Sequence, residues 1–285
     1  MANKVAIVTD STAYLPEEWI KKFNIRVAAS IVIFGDEQLR DYYDISAEAF
    51  FDRLASSEVM PTTAQPTPLD FKEIYDELLA DGYDILGIHI SHKLSGTFAS
   101  AEAAKAMFPE ANIENIDTLS ASMGEGWPVL MASRAAAAGK TLAECKAVAE
   151  RACQNTYVCL TVDTLEFLHR GGRIGGAQHL LGTALNLKPL LELRDGQIEP
   201  LEKVRTRKKA LSRLVEVTVE RIGNTRPVYI AALHANAEQE AKQVLDEITK
   251  LVKPKETAIT FVSAAVGTHA GPGTVGLAFM AGYEE

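Results

Sequence analysis

The sequence predicts an α/β protein in two parts, a parallel-sheet domain over residues 1–156 and an α/β domain with a mixed or antiparallel sheet over 157–285, on three observations. Apolar strand-like runs alternate with helix-period segments through the first half, the pattern of a parallel sheet crossed by helices. Those runs end in polar turns, Thr9-Asp10-Ser11-Thr12, Ser91-His92-Lys93-Leu94-Ser95-Gly96-Thr97 and Asp117-Thr118, and open parallel sheets collect ligands outside the carboxyl ends of their strands. Past residue 157 the pattern breaks. The Asp195-Gly196 step has the chemistry of a two-residue hairpin turn, which pairs 188–194 with 197–201 antiparallel.

Bulk properties narrow the class. A chain of 285 residues, 47% hydrophobic and 24% charged, is long enough for two cores or one large one. A formal charge of −9 argues against nucleic acid as the main partner, because phosphate binding needs concentrated Lys and Arg. No apolar run reaches the length of a membrane span or resembles a signal segment, so a cytoplasmic protein is expected. Cys145, Cys153 and Cys159 form no CxxC pair and have no interleaved His, so neither a disulfide framework nor a metal site is indicated.

Taken in order, residues 5–8 make the first strand, and Pro16 begins a short helical pattern. One buried strand is expected over 25–34. Ser46 is placed to cap an amphipathic helix carrying Phe50, Phe51 and Leu54 on one side. Residues 61–68 read as a loop with three prolines and three threonines; Thr67 caps the next helix, Pro68 takes its first position and Asp70 sits at its positive end. That helix runs over 69–79, and strand 85–90 follows, then helix 98–107, strand 113–116 and helices 124–138 and 142–154. The second half begins with strand 158–162, a short helix over 164–168 and the glycine-rich basic loop 169–176. A helix over 177–185 precedes the hairpin. A basic cluster at 205–209 opens helix 210–222, and strand 228–233, helix 238–251 and strand 257–262 lead to a last loop, 266–273, before strand 274–280.

In that last loop Gly267, Gly271, Pro272 and Gly273 surround His269, so the backbone can bring N–H groups and one imidazole close to a ligand; a tight turn between strands with His269 merely exposed fits the same residues. The GxGxxG match at 271–276 is a decoy, since no crossover helix or acidic ribose partner follows it within the nine residues that remain. Ser95 lacks a GxSxG elbow, and no Walker loop is present.

At these same residues the chain resembles the DegV family. The likeness rests on Asp10-Ser11-Thr12 with Leu15-Pro16, Thr62-Thr63-Ala64-Gln65-Pro66, Ser91 through Ser95-Gly96-Thr97, Leu168 through Gly171-Gly172-Arg173-Ile174, and Gly267-Thr268-His269 through Gly271-Pro272-Gly273. The resemblance implies a two-domain fold with one long-chain fatty acid between the domains. It further implies service as the fatty-acid-binding subunit of a bacterial fatty acid kinase, in which ATP and magnesium belong to a partner kinase and this chain holds no cofactor of its own. By position, Thr63 and Ser95 are implied to donate to the carboxylate, with His269 beside them and Arg173 at the phosphotransfer end; Gln65 and Gly96 fall in the same motifs. Where the family usually has Thr-Ser-Gln-Pro, this chain has Thr63-Ala64-Gln65-Pro66, one hydroxyl fewer, so either Gln65 or a backbone amide completes the head-group shell.

The physics is compatible with that ligand. Burying about fourteen methylenes at ~0.8 kcal/mol each gives roughly 11 kcal/mol of gross transfer free energy, part of which ordering removes. Affinity can then come from an apolar tunnel while neutral hydroxyls orient the carboxylate and leave an oxygen nucleophilic. Arginine matches an incoming phosphoryl group in bidentate fashion; alternatively Arg173 only satisfies carbonyls between domains. Two other classes compete, a serine-dependent lipid or ester hydrolase using Ser95 and a binder of small phosphorylated metabolites.

Overall fold

The computed structural model describes residues 4–182 and 187–284. In the first half the chain runs β1 (Lys4–Asp10), α1 (Glu17–Phe23), β2 (Arg26–Ala28), β3 (Ile31–Phe34), β4 (Glu37–Arg40), α2 (Ala47–Ser56), β5 (Thr62–Ala64), α3 (Pro68–Ala80), β6 (Tyr83–His89), α4 (Thr97–Lys105), β7 (Ile113–Asp117), α5 (Met123–Ala137) and α6 (Leu142–Gln154). In the second it runs β8 (Thr156–Thr161), α7 (Glu166–Arg170), a 3-10 turn (Gly175–Leu180), β9 (Leu190–Arg194), β10 (Gln197–Glu202), α8 (Arg207–Ile222), β11 (Val228–His234), α9 (Glu238–Val252), β12 (Glu256–Phe261), α10 (Ala264–Ala270) and β13 (Val275–Ala281).

The fold class is the one the sequence predicts. A parallel four-stranded sheet in the order β2-β1-β6-β7 occupies the first half. A mixed six-stranded sheet, β10-β9-β8-β13-β11-β12, occupies the second, its strands antiparallel except for the β11/β12 pair. The Asp195-Gly196 hairpin joins β9 to β10, with both turn residues at positive φ (51° and 82°) as such a turn demands. Local signals were kept as well: Thr67 and Asp70 form a reciprocal capping box on α3, with Pro68 in its first turn, and the Ser46 hydroxyl accepts from the Ala49 N–H at 3.2 Å.

Four expectations are corrected. The apolar run 25–34 is two strands in two sheets, because the chain turns at Ser30, whose N–H donates to Ser11 Oγ at 3.0 Å and whose carbonyl accepts from the Asp41 N–H at 2.8 Å. Residues 62–64 are not loop but strand β5, which with β3 and the polar edge strand β4 makes a small antiparallel sheet of its own. A polar edge carries no apolar period, so β4 left no signal to read. The helix expected over 177–185 is a 3-10 turn ending at Leu180, and its last positions lie outside the described residues. The final loop is largely helix α10, formed despite Gly267 because that missing side chain lets the helix seat on Phe50 and Phe51: a Cβ there would lie 2.6 Å from Phe51 Cζ.

One hydrophobic cluster joins the halves. It includes Leu86, Ile88 and Trp127 from the first and Val158, Leu160, Leu191, Tyr229 and Leu233 from the second. Trp127 is its link: the ring is fully buried, lies 5.7 Å from that of Tyr229, and its Nε1–H donates to the Ala278 carbonyl at 3.1 Å. Contact between the halves is thus packed side chain against side chain, and it fixes what stands between them.

Candidate functional site

A cavity lies between the carboxyl ends of the parallel strands and one face of the six-stranded sheet, and the empty space within it, counting its opening, comes to about 960 Å³. The sheet face supplies one wall. Val158 pairs with Leu193 and Leu193 with Ile198, while Leu160 pairs with Gly276 and Gly276 with Leu233, so these side chains form two adjacent cross-strand rows, both lining the cavity. In that wall, the side chains of these two rows that line the cavity are all apolar. Gly276 keeps it flat: a Cβ there would sit 3.2 Å from Leu160 Cβ and 3.0 Å from the Cys159 carbonyl.

Polar groups line part of the rest of the cavity. Strand β5 presents Thr63, and the last turn of α10 presents His269, with Thr63 Oγ1 2.9 Å from His269 Nε2. The Nδ1 edge of His269 points at Gly171, where a Cβ would fall 2.0 Å from Nδ1; only glycine permits that approach. Burial, and next the positive charge of Arg173, lower the His269 pKa to about 4, so the imidazole is neutral near pH 7. Its Nδ1 has no hydrogen-bond partner. A neutral ring with its proton on Nε2 donates to Thr63 Oγ1, and the Thr63 hydroxyl proton then points elsewhere, available to a ligand.

Arg173 is held by main-chain carbonyls, Nε donating to Leu94 at 2.9 Å and Nη1 to Gly171 at 2.8 Å, so it ties the loop after β6 to the loop after α7. Ser95 Oγ lies 2.8 Å from Thr97 Oγ1 and accepts the Thr97 N–H at 3.3 Å. Gln65 lies over Gly96, with its Nε2 3.0 Å from where a Cβ would be. Of the residues singled out from the sequence, Thr63, Gln65, Ser95, Arg173 and His269 all line the one cavity. Gly96 does not line it but makes room for Gln65. Thr63, Arg173 and His269 also line a second pocket with Pro61, Phe167 and Arg170, and so stand where the two pockets meet. Arg170 itself is exposed and pairs with Glu166 one turn away.

Sequence reasoning passed over two residues. Asp41 is fully buried and its carboxylate accepts from Ser11 Oγ at 3.1 Å and from the N–H groups of Ala264 and Ala265 at 3.2 Å each, pinning the start of α10 to the turn after β1. Ser122, before α5, also lines the cavity. No motif contained either one; Asp41 sits in an acidic surface-like stretch and Ser122 among small residues.

Among the described residues no group of three or more His, Cys, Asp or Glu side chains could hold a metal ion, and no helix is long and apolar enough to cross a membrane. Comparison with known proteins gives one consistent answer. The family model described as "Uncharacterised protein, DegV family" matches residues 4–282. A DegV domain-containing protein of Streptomyces coelicolor is 39% identical over 97% of this chain and 98% of its own, and Protein DegV of Bacillus subtilis is 33% identical over 96% and 98%. Among solved structures, a DegV family protein from Thermus thermophilus, described for its fatty acid binding, superposes with a TM-score of 0.92 at 35% identity, covering 98% of this chain and 99% of its own. DegV of Bacillus subtilis, described as a fatty acid binding protein, gives 0.89 at 32% identity, covering 98% and 100%.

Proposed function

Because the chain belongs to the DegV family, we propose that it binds one long-chain fatty acid, with the carboxylate among Thr63, Ser95 and His269 and the alkyl chain against the apolar face of the six-stranded sheet. The observation that carries this reading is one cavity lined both by hydroxyls and an imidazole and by two apolar cross-strand rows of the six-stranded sheet. The descriptions of the Thermus and Bacillus relatives as fatty acid binders support it. Thr63 donates its hydroxyl proton to one carboxylate oxygen while Nε2–H of His269 fixes the direction of that hydroxyl. Being neutral, His269 forms no ion pair with the carboxylate, which keeps an oxygen lone pair nucleophilic.

The finer part of the proposal is presentation of that carboxylate to a separate ATP-dependent kinase. A carboxylate oxygen attacks the γ-phosphorus of ATP held with magnesium by the partner, the bond to the bridging oxygen breaks, ADP leaves, and an acyl phosphate remains. In this reading Arg173, anchored through Nε and Nη1 beside the second pocket, meets the phosphoryl oxygens. A serine hydrolase fits less well, since Ser95 Oγ is engaged with Thr97 and the imidazole with Thr63.

Denaturing the protein purified from bacteria and analysing the released lipid by mass spectrometry should yield about one fatty acid per chain, of roughly sixteen to eighteen carbons; an empty protein that takes up no added fatty acid would end the proposal. Gly171→Ala should weaken fatty acid binding by about tenfold or more while leaving the fold intact, because the new methyl must push the His269 ring off Thr63. Titration calorimetry against wild type measures it.

A further inference from the structure

One hydroxyl of the cavity is both unengaged and within reach of a ligand. Ser30 lines the cavity with 4% of its surface accessible, and its Oγ has no hydrogen-bond partner among the described residues. The other lining hydroxyls differ. Thr12 bonds the Asp10 and Glu125 carboxyls, Thr63 bonds His269, Ser95 bonds Thr97, and Thr274 donates to the Ala270 and Gly271 carbonyls. Ser122 Oγ and His269 Nδ1 are unpartnered but sealed off, a state the Ser30 hydroxyl does not share.

The register of the small sheet says where that hydroxyl stands. Val32 pairs with Thr63 and Ile31 with Ala64, so Ser30 falls opposite Gln65 and diagonal to Thr63. Diagonal neighbours on one face of an antiparallel pair lie about 7–8 Å apart, and a carboxylate taking a hydroxyl bond of about 2.7 Å on each oxygen bridges two side chains at that spacing. Gln65 in turn lies over Gly96, beside Ser95. Ser30 therefore adjoins the same neutral groups that the carboxylate is assigned to.

The backbone at Ser30 is fixed without help from its side chain. Its N–H donates to Ser11 Oγ at 3.0 Å and its carbonyl accepts from the Asp41 N–H at 2.8 Å. The Asp41 carboxylate also holds the Ala264 and Ala265 N–H groups, at the start of the helix that carries His269. One buried carboxylate thus ties Ser30 and His269 to a common frame, and the Ser30 hydroxyl has no part in holding it.

Resting on the fatty acid reading above, we propose that Ser30 completes the head-group shell, its hydroxyl donating to the carboxylate oxygen that Thr63 does not hold. An ionised carboxylate accepts at about four lone-pair sites, so donors from Thr63, Ser30 and Ser95 still leave one free to attack phosphorus. A fatty alcohol has one uncharged oxygen and cannot take both bonds. Ser30 is in this way a residue that selects acid over alcohol on the same chain.

Calorimetric titration of palmitate and of 1-hexadecanol into delipidated wild type, Ser30→Ala and Ser30→Cys tests this. Palmitate affinity should fall about tenfold or more in both variants, because each loses a hydroxyl bond to a charged group, while hexadecanol affinity should stay within about threefold. Ligand-free melting temperatures should stay near wild type, since both main-chain bonds of Ser30 survive; the cysteine variant also keeps the side-chain shape. The proposal is overturned if palmitate binds Ser30→Ala as tightly as wild type, or if both ligands weaken by the same factor, which would make Ser30 a structural residue. Failure of palmitate to bind wild type would instead overturn the fatty acid reading itself.

Discussion

Thr63→Val should lower fatty acid affinity by about ten- to a hundredfold at nearly unchanged melting temperature. The substitution keeps shape but removes the hydroxyl that bonds His269 Nε2 and that, with the ring proton on Nε2, is free to donate to a carboxylate. A hydrogen bond to a charged group contributes about 1.5–3 kcal/mol, which is roughly ten- to a hundredfold in Kd. Stability changes little because Thr63 is only half-buried, on a three-residue strand. Calorimetric titration of palmitate into delipidated wild type and variant decides it; equal affinities would remove Thr63 from the carboxylate site.

Asp41→Asn should cost about 2–4 kcal/mol of stability at pH 7 and reduce fatty acid binding with it. One amide face now points –NH2 at groups that themselves donate, the Ser11 hydroxyl and the Ala265 N–H, and α10, which carries His269, loses its pin to the first half. The cost should grow on acidification. Burial raises the Asp41 pKa from 3.8 to about 6, so between pH 6 and 4 the folded chain holds a proton that the unfolded chain has released, and stability from this group rises as pH falls, by about 3 kcal/mol in full. His269 works the other way. Its pKa is about 4 when folded against 6.5, so the unfolded chain takes up a proton the folded one refuses, and about 3 kcal/mol is lost as pH falls through the same window. In wild type the two opposing contributions nearly cancel. Asp41→Asn removes only the stabilising one, so urea melts at pH 7 and 4.5 should show a larger difference between variant and wild type at the lower pH; an equal or smaller difference would mean that Asp41 is not protonated in the folded chain there.

How far the sequence reached can be followed residue by residue. Thr67, Pro68 and Asp70 announced α3, and Asp195-Gly196 announced the hairpin that breaks the parallel pattern, because caps and turns are made by neighbours in the chain. The motif residues Thr63, Ser95, Arg173 and His269 were legible through family resemblance, and they do line one cavity. The helical state of α10 was not legible, since three glycines and a proline within 267–273 argue for a loop and only distant partners, Asp41, Phe50 and Phe51, make a helix pay. The split of 25–34 into two sheets was hidden for a similar reason: both strands are apolar, and what separates them is Ser30 bonding to Ser11 and Asp41.

By itself the sequence determined the α/β class, the alternation of strands with helices, the turn chemistry and which side chains were candidates for a site. Only the tertiary structure decided that Thr63 meets His269 across 206 positions, that Gly171 is glycine for the sake of that imidazole, and that Gly267 lets α10 seat on Phe50 and Phe51. The physical reason is range: a cap or a hairpin turn is stabilised within a few residues and marks the sequence there, whereas the packing of one half against the other brings together groups whose local sequence is indifferent to the meeting.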